Sequence, residues 1–273
     1  MSDADTSRRT FMALAAAAPA ALVTGGAASA QTAPFGPTAL PGVGRAAVVT
    51  GSSRGIGAAT ARRLARDGFA VTVNYLTNRD LADRVVADIK AAGGRAIVRQ
   101  ADVADPAAVK ALFDAHDQAF GGVDVVVNNA GIMNVGPFAQ MTDAAFDRMM
   151  ATNVKGSFNV LREAARRTRD GGRIISLSSS VVGLLPPGYG VYAASKAAVE
   201  TMSAILAKEL RGRNITVNAI APGPTATKLF LDGKPAEVIE RLSKAAPLER
   251  LGQPEDIASS VAFLAGPDGA WVN

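Results

Sequence analysis

The sequence predicts an α/β fold in which helices cover both faces of a doubly wound parallel sheet. From residue 45 onward, short apolar runs rich in β-branched residues alternate with helical stretches of ten or more residues. The apolar runs are nearly continuous, as is typical of strands buried on both faces. The sequence shows neither an internal repeat nor a second unit, so we expect a single domain. The predicted strands lie at residues 45–50, 69–74, 96–101, 123–128, 173–178 and 214–220.

Helical spacing accompanies these strands. It follows the first strand at residues 58–66, and it returns at 197–210 and in a last helix at 255–265. The stretch 225–247, between the sixth strand and that last helix, has the spacing of amphipathic helices. We expect this stretch to form a helical flap over a cleft.

The composition limits the chemistry that the chain can perform. Of its 273 residues 48% are hydrophobic and 19% are charged, and the formal net charge is +5. The basic residues are scattered among acidic ones without a Lys/Arg block, so we expect no nucleic-acid partner. The sequence has no cysteine and a single histidine, His116, which excludes a thiol nucleophile and a cysteine- or histidine-rich metal site. We expect no metal, and we interpret His116 as structural or solvent-facing.

The first thirty residues differ from the rest and are interpreted as an export signal. The segment 7–12 contains an arginine pair, an alanine-rich apolar run follows, and small residues end at Ala30. The segment resembles the twin-arginine signal of proteins that are exported already folded. We predict a signal peptide at 1–30, a linker at 31–44 and the folded domain at 45–273, in a periplasmic or exported protein without stable membrane insertion after cleavage. The alternative is a cytoplasmic protein whose extension has no export value.

A glycine-rich turn directly follows the first predicted strand and opens a helix. Glycines at positions 51, 55 and 57 let the backbone approach a pyrophosphate, while the helix N-terminus supplies unpaired N–H groups. This position between strand and helix predicts a dinucleotide site rather than a merely flexible loop. The residues of the turn that we assign to the cofactor site are Gly51, Ser53, Arg54, Gly55, Ile56 and Gly57.

The end of the second strand bears on the choice between NAD and NADP. A carboxylate there would bind the ribose 2′-hydroxyl and select NAD, whereas this chain has Asn74, which we assign to the cofactor site. Arg54, and Arg79 nearby, offer pairing to a 2′-phosphate, so NADP(H) is favoured and NAD(H) is the alternative. Asp102 follows the third strand, where it would accept a hydrogen bond from the adenine amino group. A helix-capping role before Asp105 is the alternative for Asp102.

Tyr192 and Lys196 place a phenol and an ammonium four residues apart, on one face of a helix. The nearby positive charge favours the phenolate, so we expect the pKa of Tyr192 to be lowered toward working pH. Tyr192 would then exchange a proton with a substrate oxygen. The same spacing is common in surface helices, so the pair alone does not identify an active site.

From residue 45 to its end, the sequence resembles the short-chain dehydrogenase/reductase family. The motifs that carry the resemblance are, in order, TGSSRGIG at 50–57, Asp102, NNAG at 128–131, Asn153, the serine run at 178–180, YAASK at 192–196 and PG at 222–223. The resemblance implies a Rossmann fold and a homodimer or homotetramer. Family members usually continue with a seventh strand where this sequence stops, so we expect a sheet that lacks it.

The resemblance also implies roles for individual residues. The serine thirteen residues before the tyrosine is Ser179, which would bind the substrate carbonyl, although Ser178 and Ser180 leave the choice open. Lys196 would also hold the nicotinamide ribose, and Asn153 would anchor a water that links this lysine to solvent. The further cofactor contacts that the resemblance implies are Asn129, Ala130, Gly131, Tyr192, Pro222, Gly223 and Thr225.

These residues predict an oxidoreductase that reversibly reduces a ketone or aldehyde to an alcohol. The predicted catalytic residues are Asn153, Ser179, Tyr192 and Lys196, and Asn128 is interpreted as partly structural. Within the family, the sequence resembles members described as 3-oxoacyl-carrier-protein reductases. A sugar or polyol dehydrogenase is the alternative, and a non-catalytic dinucleotide-binding regulator is the alternative from another class. The apolar loop at 183–189 and the flap favour a modest neutral carbonyl over an anionic one.

Overall fold

Six parallel strands form one sheet in the computed structural model, which describes residues 40–273. The strands are β1 (Ala46–Val49), β2 (Ala70–Tyr75), β3 (Ala96–Gln100), β4 (Val123–Asn128), β5 (Thr168–Leu177) and β6 (Thr216–Ile220). They pair in the order β3-β2-β1-β4-β5-β6, and every pairing is parallel. The predicted doubly wound sheet is confirmed, and within residues 40–273 it contains no seventh strand.

Helices cover both faces of this sheet. They are α1 (Gly55–Arg66), α2 (Arg79–Ala91), α3 (Pro106–Phe120), α4 (Asp143–Met149), α5 (Gly156–Arg167), α6 (Val181–Leu184), α7 (Gly190–Glu209), α8 (Lys228–Leu231), α9 (Ala236–Lys244) and α10 (Pro254–Ala265). Side chains alternate across β4, so Val125 and Val127 pack toward α1, α2 and α10, whereas Val126 packs toward α3, α5 and α7. The two apolar cores explain why the strands are apolar throughout.

Two boundaries differ from the sequence prediction. The strand expected at 173–178 begins five residues earlier, at Thr168, because the Arg213 guanidinium binds the Thr168 carbonyl and holds this segment beside β4. The predicted linker ends before residue 44, since residues 41–44 form a turn in which Gly42 donates to the Asp67 carbonyl at 2.8 Å. That turn is part of the folded domain.

The predicted signal peptide at 1–30 lies outside the described residues, as does most of the predicted linker. Within the part of the chain that the structure describes, none of the helices is both long and apolar enough to span a membrane. The same residues include no cluster of three or more histidine, aspartate or glutamate side chains that could hold a metal ion.

His116 is fully buried in α3, so the solvent-facing interpretation is wrong. Its Nδ1 lies 2.8 Å from the Thr72 hydroxyl of β2, and its ring meets Phe120 edge-on at 5.4 Å between centroids. Burial lowers the pKa of His116 to about 4, because the charged imidazolium loses its hydration. At neutral pH the residue is therefore a neutral member of the core.

This burial predicts an acid-sensitive fold. The unfolded histidine takes up a proton near pH 6.5 and the folded one near pH 4. The contribution of His116 to the free energy of unfolding is therefore constant above this window and falls as the pH drops through it. Across the window, this residue alone should lower the free energy of unfolding by about 3 kcal/mol. Urea unfolding between pH 4 and 7 measures the loss, and His116→Gln should show a shallower slope. Equal slopes in both proteins would contradict the assignment.

Candidate active site

The turn after β1 is tied to the end of β4 by hydrogen bonds. The Thr50 hydroxyl accepts backbone N–H bonds from Asn129 at 3.0 Å and Ala130 at 3.1 Å. The Asn129 side-chain amide donates to the carbonyls of Thr50 at 2.8 Å and Gly51 at 3.1 Å. The strand order reverses between β1 and β4, so these bonds lie where doubly wound sheets open a ligand crevice.

Glycine is required at two positions of this turn. Gly51 has a φ of +61°, and a Cβ there would lie 2.8 Å from the Cα of Ala130. A Cβ at Gly57 would lie 2.5 Å from the side-chain nitrogen of Asn129. Arg54, the N-cap residue of α1, makes no side-chain cap, which leaves the first N–H groups of this helix available to an anion. The turn therefore fits a dinucleotide pyrophosphate.

A cavity of about 370 Å³ beside this turn brings together most of the predicted cofactor residues. The predicted residues that line it are Gly51, Ser53, Arg54, Gly55, Ile56, Gly57, Asn74, Asp102, Asn129, Ala130 and Gly131. The cavity is also lined by residues that were not predicted from the sequence, namely Tyr75, Leu76, Thr77, Asn78, Ala101, Val103, Ile132, Thr152, Thr227, Lys228 and Leu229. The position of residues 75–78 directly after β2 was the signal that could have identified them.

Asn74 and Asp102 line this cavity while bonding to the backbone around them. The Asn74 side-chain oxygen accepts from the Gly51 N–H at 3.0 Å, and its nitrogen donates to carbonyls at the ends of β2 and β3. Asp102 accepts from the Ala104 N–H at 2.9 Å. The cap of α3 is Asp105, so the capping alternative for Asp102 is wrong.

The charges at this end of the crevice suit an anion. Arg54 is exposed and lines the cavity, and Asp102 is the one carboxylate among the described lining residues. Arg79, the second candidate partner for a 2′-phosphate, forms an ion pair with Asp83 at 3.3 Å and does not line the cavity. Arg54 is therefore the better-placed arginine for a phosphate.

A second cavity of about 250 Å³ adjoins the first and contains the predicted chemistry. The two cavities share the lining residues Ile56, Asn129, Gly131, Thr227 and Leu229. The predicted residues that line the second cavity are Ser179, Tyr192, Lys196, Pro222, Gly223 and Thr225. A ligand in the first cavity can therefore extend directly to the tyrosine and the lysine.

The three serines of the run all line this cavity, but they make different contacts. The Ser178 hydroxyl, which is buried, donates to the Glu200 carboxylate of α7 at 2.5 Å. The Ser179 hydroxyl lies beside the Tyr192 phenol. Ser180 uses its backbone N–H to bind the Pro222 carbonyl at 2.9 Å. Ser179 is thus the serine whose hydroxyl acts on the Tyr192 phenol, as the count back from the tyrosine predicts.

Tyr192 and Lys196 are both buried on α7, and burial acts on them in opposite directions. It raises the pKa of Tyr192, which the neighbouring Ser179 hydroxyl partly offsets, and it lowers the pKa of Lys196 to about 8. The expected lowering of the tyrosine pKa is therefore wrong for this geometry. The Lys196 ammonium donates to the Leu177 carbonyl at 2.7 Å and lies 5.9 Å from the centroid of the phenol ring.

Asn153 lies in a π-helical turn, Met150–Lys155, behind the cavity wall. Its side chain is fully buried, accepts from the Ile132 N–H at 2.8 Å and donates to the Ser195 hydroxyl at 3.0 Å. A Cβ added at Gly131 would lie 3.3 Å from the Asn153 oxygen and 3.4 Å from the Lys196 nitrogen. Asn153 thus joins the loop after β4 to α7 and stands near the lysine.

Asn128 is buried at the end of β4, and its amide lies 3.5 Å from the Ser176 hydroxyl of β5. It lines neither cavity. Its contact is between strands, in agreement with a structural role.

The walls of the second cavity are mostly apolar. The further lining residues, which the sequence did not indicate as site residues, are Met133, Leu177, Val181, Leu184, Pro186, Tyr189, Pro224, Thr227, Leu229, Phe230 and Leu242. Leu229, Phe230 and Leu242 come from the predicted flap, which forms α8 and α9. Amphipathic spacing predicted the flap, but only the packing shows which of its residues reach the cavity.

Comparisons with known proteins agree with this geometry. A family model described as "Enoyl-(Acyl carrier protein) reductase" matches residues 51–273. A short-chain type dehydrogenase/reductase of Picea abies is 48% identical over 240 residues, which cover 84% of this chain and 89% of that protein. The chain belongs to the short-chain dehydrogenase/reductase family. It is thus an NAD(P)-dependent oxidoreductase.

Two further relatives carry information on the cofactor. The NADPH-dependent aldehyde reductase-like protein, chloroplastic, of Arabidopsis thaliana is 47% identical over 249 residues, covering 86% of this chain and 92% of that protein. A crystal structure of a short-chain dehydrogenase from Burkholderia cenocepacia in complex with NADP is 42% identical, with a TM-score of 0.81. This match covers 86% of this chain and 95% of the other.

The close approach at Gly57 predicts a large effect from a single methyl group. In Gly57→Ala the new Cβ would displace the Asn129 amide, which should weaken NADPH binding at least tenfold, or about 1.4 kcal/mol. Titration of NADPH fluorescence measures the affinity, and thermal unfolding checks the fold. Gly183→Ala is the matched control, because a Cβ at that position meets nothing within 4 Å. Wild-type affinity in Gly57→Ala would contradict the assigned site.

Proposed function

We propose that this oxidoreductase uses NADP(H) to reduce a neutral, largely apolar aldehyde or ketone to the corresponding alcohol, reversibly. The observation that carries the proposal is the position of Ser179, Tyr192 and Lys196 in a small apolar cavity continuous with the dinucleotide crevice. In this position a carbonyl and a nicotinamide would meet beside the phenol, as hydride transfer requires.

Three observations support NADP(H) over NAD(H). The end of β2 provides an asparagine whose amide is bonded to the protein, and no carboxylate that would repel a 2′-phosphate. Arg54 is exposed at the crevice and free to meet such a phosphate. The Arabidopsis relative is named as NADPH-dependent, and the Burkholderia structure contains NADP.

When bound, the reduced cofactor supplies the hydride, and the side chains of this chain manage the proton and the carbonyl oxygen. Tyr192 is protonated at neutral pH, as an ordinary phenol is, and burial raises its pKa further, so it would enter the reaction as a general acid. Ser179 stands beside this phenol and would donate a second hydrogen bond to the same oxygen. The Lys196 ammonium would stabilise the phenolate that remains after proton transfer. Asn153 would hold the water that returns a proton.

The cavity walls favour a neutral, apolar substrate. Among the described residues that line it, Lys196 is the one charged side chain, and its ammonium is bonded to the Leu177 carbonyl. Met133, Leu184 and Phe230 surround the remaining space. Because apolar side chains form most of the surface of this cavity, an aldehyde with an apolar substituent fits it better than a sugar or polyol, which needs several hydrogen-bonding partners. The aldehyde reductase-like name of the Arabidopsis relative supports the same class.

Replacement of Tyr192 by phenylalanine tests the proposed reaction. Tyr192→Phe removes the proton donor and keeps the ring, so turnover of NADPH with a panel of aldehydes and ketones should fall by about 10² to 10⁴. NADPH affinity, measured by fluorescence, should stay within a fewfold of wild type. Unchanged turnover in this variant would overturn the mechanism. If the wild-type protein binds NADPH but does not oxidise it with any carbonyl of the panel, the non-catalytic regulator would be favoured.

We also propose that residues 1–30 export the folded protein and are removed after Ala30. Support comes from the arginine pair, the apolar run and the small residues before the cleavage point. Free NADP(H) is not expected outside the cytoplasm, so an exported enzyme would carry its cofactor already bound. The twin-arginine route suits such cargo, because it carries proteins that have already folded.

The twin-arginine proposal is tested by substitution of both arginines. Arg8→Lys/Arg9→Lys keeps the charge and should leave uncleaved protein in the cytoplasm, whereas wild type should appear outside the inner membrane, shortened by thirty residues. Fractionation and N-terminal sequencing measure both outcomes. The matched control is Arg62→Lys, in α1, which leaves the signal unchanged. Equal distribution of the wild type and the double variant would refute this route.

A further inference from the structure

We infer that Glu200 is a positioning residue for the reaction: through Ser178 it holds the turn after β5 against α7, so that Ser179 faces Tyr192. The inference rests on the proposed function, because it concerns the geometry of the proposed general acid and its serine. Glu200 lies outside every sequence motif that identified the site.

The contact between Ser178 and Glu200 has the geometry of a strong hydrogen bond. The buried serine hydroxyl donates to the carboxylate at 2.5 Å, within the range of charge-assisted O–H to carboxylate bonds. The Ser178 backbone N–H donates to the Ile220 carbonyl at 2.7 Å. Ser178 is thus fixed to β6 by its backbone and to α7 by its side chain.

Three consecutive residues at the end of β5 each meet a different turn of α7. Leu177 accepts from the Lys196 ammonium at 2.7 Å, Ser178 donates to Glu200, and the Ser179 hydroxyl lies beside the Tyr192 phenol. The three α7 residues are spaced by four, so they share one face of the helix. Two of these contacts belong to the proposed catalytic groups, and the contact with Glu200 adjoins both.

Loss of the contact between Ser178 and Glu200 should shift Ser179 relative to Tyr192 without unfolding the protein. The pairing of β5 with β6 runs through Leu177, so the strand itself stays in the sheet without the serine side chain. Beyond Leu177, the ladder continues only through the backbone bonds of Ser178 and Ser180. The short side-chain bond to Glu200, beside a longer contact of the same hydroxyl with the Lys196 carbonyl at 3.5 Å, joins this turn to the helix that carries Tyr192.

Kinetics of paired variants test the inference. Glu200→Ala and Ser178→Ala remove the same contact from opposite sides, and each should lower kcat tenfold to a hundredfold, about the cost of a misplacement near 1 Å. The double variant should be no slower than the slower single variant, because one contact is lost in all three. Glu200→Gln should restore most of kcat, since its amide oxygen still accepts from Ser178. KM for NADPH should change less than twofold.

The matched control is Glu209→Ala, which removes an exposed glutamate from the same helix and should leave kcat unchanged. If Glu200→Ala does not fold, Ser178→Ala tests the same contact. Wild-type kcat in Ser178→Ala, or additive losses in the double variant, would overturn the inference.

A second measurement does not depend on turnover. The chain has three tyrosines, so ¹⁹F spectra of protein labelled with fluorotyrosine can be assigned with Tyr192→Phe and titrated with pH. The Ser179 hydroxyl lowers the pKa of Tyr192, so removing or displacing this hydroxyl should raise that pKa. We expect the rise in Ser179→Ala, Ser178→Ala and Glu200→Ala. Glu200→Gln and Glu209→Ala should keep the wild-type value. A titration that stays at the wild-type value in Ser178→Ala and Glu200→Ala would overturn the positioning role. If the wild-type protein reduces no carbonyl, the proposed function is refuted, but the titration still decides whether Glu200 positions Ser179.

Discussion

The bonds that join Thr50 to Asn129 set the geometry on which the rest of the site depends. They hold the turn after β1 against the end of β4, at the one place where the strand order reverses. Because of this arrangement Gly57 packs closely against the same asparagine, and a Cβ at this position would collide with the asparagine side chain. The loop after β4 then continues to Gly131, beside Lys196. One tie therefore aligns the nucleotide turn with the residues of the proposed reaction.

Burial organises the chemistry of the second cavity. A buried phenol holds its proton more tightly and a buried ammonium releases it more readily, so both groups are biased toward their neutral forms. For the reduction of a carbonyl, a protonated phenol at neutral pH is the form that donates. The spacing of the pair led to the opposite expectation, a lowered pKa, because spacing takes no account of desolvation. When Tyr192 gives up its proton it becomes a phenolate, and the Lys196 ammonium is placed to stabilise this negative charge.

Most of the fold was predictable, whereas the walls of the site were not. Strand positions and the glycine turn follow from local patterns, so their prediction needed only the sequence within a few residues. The early start of β5 depends on Arg213, which is 45 residues away in sequence, and no local pattern contains that contact. The neutral state of the tyrosine depends on desolvation by the whole fold. Phe230 and Leu242 look like ordinary apolar flap residues until α8 and α9 pack beside the cavity.

The serine run shows most clearly what residue identity leaves undetermined. Ser178, Ser179 and Ser180 are chemically identical, and counting back from the tyrosine selects the middle one only through a resemblance. The Ser178 hydroxyl bonds to Glu200, whereas the Ser179 hydroxyl lies beside the Tyr192 phenol, and both partners lie on one face of α7. The choice among the serines therefore depends on how this turn packs against α7, through Glu200 as well as through Tyr192.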